Sequence, residues 1–161
     1  MSERLFISVL GNRDSGKSLT WNTLFGRTVR TGKEIRELEI FKDQFVDVFL
    51  VSGSAEERER YVGDIITEPS AKIVLCSIQY VDEAIQTFQY AEENRFETFT
   101  QWLNPGFHDA GVYFDKLGFS SRLLASAHTL SVRDGKGNPS ARVQEIREKV
   151  FGWAWPRGLV R

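Results

Sequence analysis

Short apolar runs alternate along this chain with segments whose apolar residues recur at helical spacing. "RLFISVLG" (Arg4–Gly11) is apolar at nearly every position and stops at a glycine, the pattern of a strand buried on both faces. Leu19, Trp21, Leu24 and Phe25 then fit a short helix from Ser18 to Phe25, with Gly26 as the residue that ends it. After a polar, turn-like "RTVRTGK", the stretch "EIRELEIF" (Glu34–Phe41) alternates apolar and polar positions. Lys42-Asp43 turns the chain into "FVDVFLV" (Phe45–Val51), so an antiparallel hairpin is the simplest reading. Ser54-Ala55-Glu56-Glu57 has the S-x-x-E form of a capping box. It predicts a helix that turns Tyr61, Val62, Ile65 and Ile66 inward, carries "EERER" as a solvated face and closes at Pro69.

"AKIVLCSIQY" (Ala71–Tyr80) reads as a buried parallel strand, and Asp82 as the cap of a helix running to Glu93 with Ala84, Ile85 and Phe88 inward. "FETFTQWL" (Phe96–Leu103) is the next strand, broken by Asn104-Pro105-Gly106. Gly111 to Ala127 is ambiguous: a helix around Val112–Leu117, then "SRLLASAHTLSV" as strand or helix. Asn138-Pro139 opens a last helix with apolar Val143, Ile146, Val150 and Phe151 and an i,i+4 pair of Glu145 with Lys149. Strands alternating with helices predict an α/β fold, a mostly parallel sheet covered on both faces, with one antiparallel edge strand.

Composition narrows the function. With 161 residues the chain suits one domain, and its 41% hydrophobic and 27% charged content is that of an ordinary globular protein. Against 22 acidic residues stand 21 lysines and arginines, so no excess charge favours nucleic acid or an anionic membrane. No apolar run approaches the roughly 20 residues of a membrane span, and no signal-peptide pattern is present, so a cytoplasmic address is expected. The single cysteine, Cys76, sits inside "IVLCSI" and reads as a small core residue.

Within this frame Gly11-Asn12-Arg13-Asp14-Ser15-Gly16-Lys17-Ser18 matches G-x-x-x-x-G-K-[ST] at every fixed position. The context fits as well: an apolar strand delivers the loop and a helix follows it. Successive backbone N–H groups and the helix dipole then form a pocket for a polyanion. The amides of Asp14 to Ser18 are expected to cradle α- and β-phosphates, with Gly11 through Leu19 (Gly11, Asn12, Arg13, Asp14, Ser15, Gly16, Lys17, Ser18, Leu19) lining the nucleotide site. Lys17 is expected at the β/γ oxygens and the Ser18 hydroxyl on Mg²⁺.

Loop, short helix ending "LFG", polar linker, hairpin, charged helix and further strand–helix pairs together resemble the small Ras-like GTPases. The resemblance runs over residues 4–154 in order and spacing, and the loop is its specific element. It implies a three-layer α/β/α P-loop NTPase fold and Mg²⁺ with GTP or ATP. The implied activity is slow hydrolysis or switching, assisted by a protein partner. It also implies a threonine of the linker on Mg²⁺, Thr28 or Thr31, with Thr31 preferred beside Gly32. Glu56 or Glu57 would orient a water; Glu57 is equally explained by the capping box. Asn104 stands where the family keeps the asparagine of its base-reading N-K-x-D.

The sequence departs from the family where Ser52 replaces the aspartate of D-x-x-G and Ala55 its glycine. A hydroxyl offers only a dipole where a carboxylate offers charge. Pro105 and Phe107 replace the lysine and aspartate of the base-reading motif, so GTP and ATP both stay open. "ASAH" (Ala125–His128) is a faint form of the family's S-A-K element. A small-molecule or nucleotide kinase and a non-hydrolysing binding module are the competing readings. His108 beside Asp109 is a general-base candidate or a solvated loop histidine, and His128 a structural one. Trp153 and Trp155 either pack the last helix or offer a patch to a protein partner.

Overall fold

The structure, a computed structural model, describes residues 3–104, 115–126 and 128–161. β1 (Arg4–Gly11) lies inside a six-stranded sheet, parallel to β4 (Ile73–Gln79) on one side and to β5 (Phe96–Leu103) on the other. β6 (Thr129–Arg133) extends β5 in parallel. β3 (Gln44–Val51) extends β4 in parallel and carries β2 (Arg36–Phe41) as the antiparallel edge, giving the order β2-β3-β4-β1-β5-β6. The chain is thus an α/β protein with a mostly parallel sheet and one antiparallel pair.

Period-two alternation along β1 divides the core. Leu5, Ile7 and Val9 join Trp21 and Leu24 of α1 (Lys17–Phe25) and Val143, Ile146 and Val150 of α5 (Ser140–Ala154). Phe6 and Leu10 point the other way, to Val62 and Ile65 of α2 (Val62–Ile65), Ala84 and Phe88 of α3 (Ala84–Glu93), and Phe119 and Leu123 of α4 (Phe119–Ala125). Both faces are therefore covered by helices, which is why β1 and β4 read as unbroken apolar runs. The Trp21 indole, fully buried, donates to Ser77 Oγ at 2.8 Å, so α1 is tied to β4 beneath the loop that precedes it.

Several elements differ from expectation. The segment after Ser54 is a series of turns, and helix forms only over Val62–Ile65. Glu59 adopts a left-handed φ of 52°, which stops a helix from propagating, and the charged residues around it have no apolar face to bury. Asp82 does not cap α3 with its side chain; that helix starts at Ala84 after backbone turns. The ambiguous stretch resolves into both alternatives, α4 and then β6, while residues 112–114 of the expected helix around Val112–Leu117 lie outside the described residues. Glu145 and Lys149 do not pair: Glu145 takes Arg133, Gln101 and Ser131, and Lys149 reaches Glu97 at 3.0 Å. Of the two late tryptophans Trp153 is buried, whereas Trp155 stays 58% exposed, stacked on Phe151 at 5.4 Å. Cys76 is buried, and burial pushes its thiol well above the usual range.

Candidate functional site

β1 ends at Gly11, in register with Gln79 at the end of β4, and the chain bends away over the carboxyl edge of the sheet. The bend requires glycine at both fixed positions. A Cβ on Gly11 would lie 2.3 Å from Ser15 Oγ, and one on Gly16 would lie 2.2 Å from the Gly135 carbonyl oxygen. Gly16 also has φ 105°, and Asp14 is left-handed at 63°. α1 then begins at Lys17 with no side-chain cap and no acidic residue in its first turn. Its first N–H groups and the positive end of its dipole are thereby left to the loop's concavity.

Lys17 lies over that concavity, 7% exposed, its ammonium donating to the carbonyls of Asn12 at 2.8 Å and Gly11 at 3.1 Å. Glu57 Oε1 stands 3.7 Å from the same nitrogen. A cavity of about 360 Å³ opens here, lined by residues 13–19 of the loop and first helical turn and, opposite, by Ser52, Gly53 and Glu57. Arg13, Asp14, Ser15, Gly16, Lys17, Ser18 and Leu19 are thus brought around one concavity, while Gly11 and Asn12 meet it only through the carbonyls that hold the ammonium.

The loop is braced from behind. Asn104 is 0% exposed, and its side-chain amide donates to Ser15 O at 2.8 Å while its oxygen accepts the Gly135 N–H at 2.6 Å. The amide is committed to main chain at both ends, so Asn104 acts as a bracket under the loop and does not line the cavity. Arg142 does similar work from α5. Its guanidinium reaches Gly16 O and Gly135 O, both at 3.3 Å, and Thr20 Oγ1 at 3.1 Å. Its buried charge adds to the positive potential behind the loop. Arg142 has a signal in the sequence although no motif marks it: at i, i+4 and i+8, positions 142, 146 and 150 share the inward face of α5.

Ser18 is exposed in the first turn of α1 and lines the cavity, which fits a Mg²⁺ ligand. Thr31 fits poorly. Its hydroxyl oxygen accepts from Ser52 N at 2.9 Å, Gly53 N at 3.2 Å and Arg58 Nη2 at 2.9 Å, so its lone pairs are taken by the end of β3. Among the described residues no group of three or more His, Cys, Asp or Glu is placed to hold a metal ion. A Mg²⁺ site built on substrate phosphates and water needs only one or two protein ligands.

Ser54 Oγ accepts the Glu57 N–H at 3.2 Å, so the capping contact forms although the helix does not. The neighbouring Glu56 turns inward, accepts from Thr87 Oγ1 at 3.4 Å, and has its carboxyl pushed up to about 7, chiefly by burial. Ser52, two strands away from β1, lies with Gly53 across the cavity from the loop.

Pro105, Phe107, His108 and Asp109 lie outside the described residues, as does Ala127 of the expected "ASAH" element. Ala125 ends α4, and His128 is buried with Nε2 3.4 Å from Glu92; burial lowers its pKa. The stretch that packs against the Gly11–Ser18 loop is instead Asp134-Gly135, where a Cβ on Gly135 would sit 2.0 Å from Ser15 O. No protein-family model matches the chain, and no curated protein matches it.

Proposed function

We propose that the chain binds a purine nucleoside triphosphate, GTP or ATP, by its phosphate tail in the Gly11–Ser18 loop and hydrolyses it slowly. The sheet with helices on both faces is then a three-layer α/β/α P-loop NTPase fold, divergent from the small GTPases. One observation carries the reading. The Lys17 ammonium is held on the Gly11 and Asn12 carbonyls at the mouth of a concavity entered by an uncapped helix N-terminus. The ammonium and the positive end of the helix dipole stand at one space lined by residues 13–19, which suits a polyphosphate.

In the reaction a water oxygen attacks the γ-phosphorus and the bond from that phosphorus to the β–γ bridging oxygen breaks; the nucleoside diphosphate leaves with the bonding electrons, and the water's proton is released to solvent with the inorganic phosphate. Lys17 offsets charge growing on the β/γ oxygens. Glu57, at the Lys17 end of the cavity, orients the attacking water. Bound through Ser18, Mg²⁺ would supply further neutralisation of the phosphate oxygens. Ser52 offers no charge and the Thr31 lone pairs are occupied, so turnover is slow until a protein partner supplies missing groups. Those two residues also favour a second reading, tight binding with no turnover. No described helix is long and apolar enough to cross a membrane, and a cytoplasmic address belongs to the same proposal.

Calorimetric titration with ATP, GTP and their diphosphates in Mg²⁺, alongside phosphate release, tests this. Lys17→Ala is expected to lower triphosphate affinity about 100-fold, by the two to three kcal/mol of a charge-assisted contact. Equal affinity in the variant refutes the proposal, and binding without phosphate release selects the second reading.

A further inference from the structure

A second, larger cavity of about 680 Å³ lies beside the phosphate cavity, between the turns after Ser54, the end of β4 and α3. Arg13 and Glu57 line both, so the two are contiguous. Their junction has a definite chemical sense. In a loop of this kind the lysine meets the β/γ oxygens. Glu57 stands 3.7 Å from the Lys17 ammonium, so the larger cavity opens at the γ-phosphate end.

Its walls ask for hydrogen-bond donors. Glu56 Oε2 and Gln79 Oε1 are buried without a partner, and both residues line the cavity. Such orphaned acceptors are costly unless a ligand or water serves them. The terminal torsion of a glutamate is soft, so the carboxyl turns a lone pair toward a ligand without backbone movement. Tyr61, held edge-to-face on Tyr90 at 6.0 Å, contributes a partly exposed aromatic surface to the same cavity. The volume is that of an ordinary small-molecule site.

We propose that this cavity holds a second substrate, a ring-bearing hydroxyl compound of the sugar or nucleoside class, which takes the γ-phosphoryl group of the triphosphate in the loop. The inference rests on the triphosphate reading above. The acceptor oxygen attacks the γ-phosphorus as its proton passes to the Glu56 carboxylate. The β–γ bridging P–O bond breaks, and the nucleoside diphosphate leaves with the bonding electrons. Glu56 then releases the proton to solvent. Its carboxyl, raised to about 7, is poised near neutrality for both steps. Slow hydrolysis is the same displacement with water in place of the acceptor.

The test uses the full chain with Mg·ATP and Mg·GTP and two probe sets, ribose and glucose in one arm, adenosine and guanosine in the other. Diphosphate release is followed by rate and the product by phosphorus NMR, with triphosphate affinity measured on the same samples. At least one probe is expected to raise diphosphate release tenfold or more and to appear phosphorylated in equal amount; the arm that responds names the class. Gln86→Trp, at an exposed position of α3 on the cavity wall, is expected to abolish that stimulation while triphosphate affinity stays within twofold. Glu56→Gln is expected to cut the stimulated kcat at least 100-fold with acceptor KM within threefold, Glu56→Asp recovering part of it. Triphosphate binding with no probe raising the rate, or full stimulation in Gln86→Trp, overturns the acceptor site and leaves the triphosphate reading intact. Absence of triphosphate binding overturns the reading beneath it.

Discussion

The two walls of the cavity beside Lys17 are built differently. On one side the loop from Asn12 to Ser18 is clamped from behind by Asn104, Arg142 and Gly135, and a Cβ added at Gly135 would fall 2.0 Å from Ser15 O. On the other side Ser52 to Tyr61 runs in turns, with a left-handed Glu59, held by the Thr31 hydroxyl, the Ser54 cap and an ion pair to Lys17. A phosphate tail is always the same shape, and a pre-organised cradle binds it without ordering cost. On the proposed reading whatever meets the γ-phosphate varies, and the less constrained wall carries Glu57 and leads to Glu56 and Tyr61 in the adjoining cavity.

The sharpest way to break that comparison is Gly16→Ala. Its Cβ would fall 2.2 Å from Gly135 O at φ 105°, so a loss of about 4 kcal/mol is expected from packing and backbone strain together. Denaturant unfolding measures it; a loss under 1 kcal/mol would mean the loop is not clamped. Asn104→Ala removes both amide bonds and leaves Ser15 O and Gly135 N–H buried without that partner, at about 3 kcal/mol. Triphosphate affinity is expected to fall in parallel, since the cradle loses its bracket.

For the opposite wall the sign reverses. An ordinary glutamate titrates at 4.5 and Glu56 near 7, so the folded state holds this proton over a range where the unfolded chain has released it. Stability from this group is complete below pH 4.5 and is lost as pH rises through 7. Glu56→Gln is therefore expected to stabilise by about 2 kcal/mol at pH 8, allowing for solvent at the cavity, and by nothing at pH 4. Thermal unfolding across pH settles it, and a destabilised variant at pH 8 contradicts the assignment. Thr31→Ala, which loses bonds to partly exposed donors, is expected to cost about 1 kcal/mol or less.

The same asymmetry decides what could be read in the sequence. β1 and β4 were legible because burial on both sheet faces writes apolar runs, and α1 because Gly26 marks its end. The bend at Gly11–Ser18 was legible because Gly11 closes on Ser15 within the loop and Gly16 takes a positive φ. The partners of the brackets were not: Asn104 and Arg142 act on Ser15 and Gly16 from 89 and 126 residues away, and no local pattern encodes such pairings. The helix expected after Ser54 failed for a related reason. Its cap is real, but the charged run that follows has no apolar stripe for tertiary packing to reward, and the left-handed Glu59 ends the attempt. Thr31 had the right residue type for a cation and is engaged instead in tying the linker to β3.

The most direct measurement is the set of backbone amide resonances of Asp14 to Ser18 during titration with Mg·triphosphate. The account predicts that these five amides shift farthest and together, saturating at one nucleotide per chain, with Ser52 and Gly53 following. Saturable binding that leaves them unmoved, or no binding at millimolar nucleotide, contradicts it.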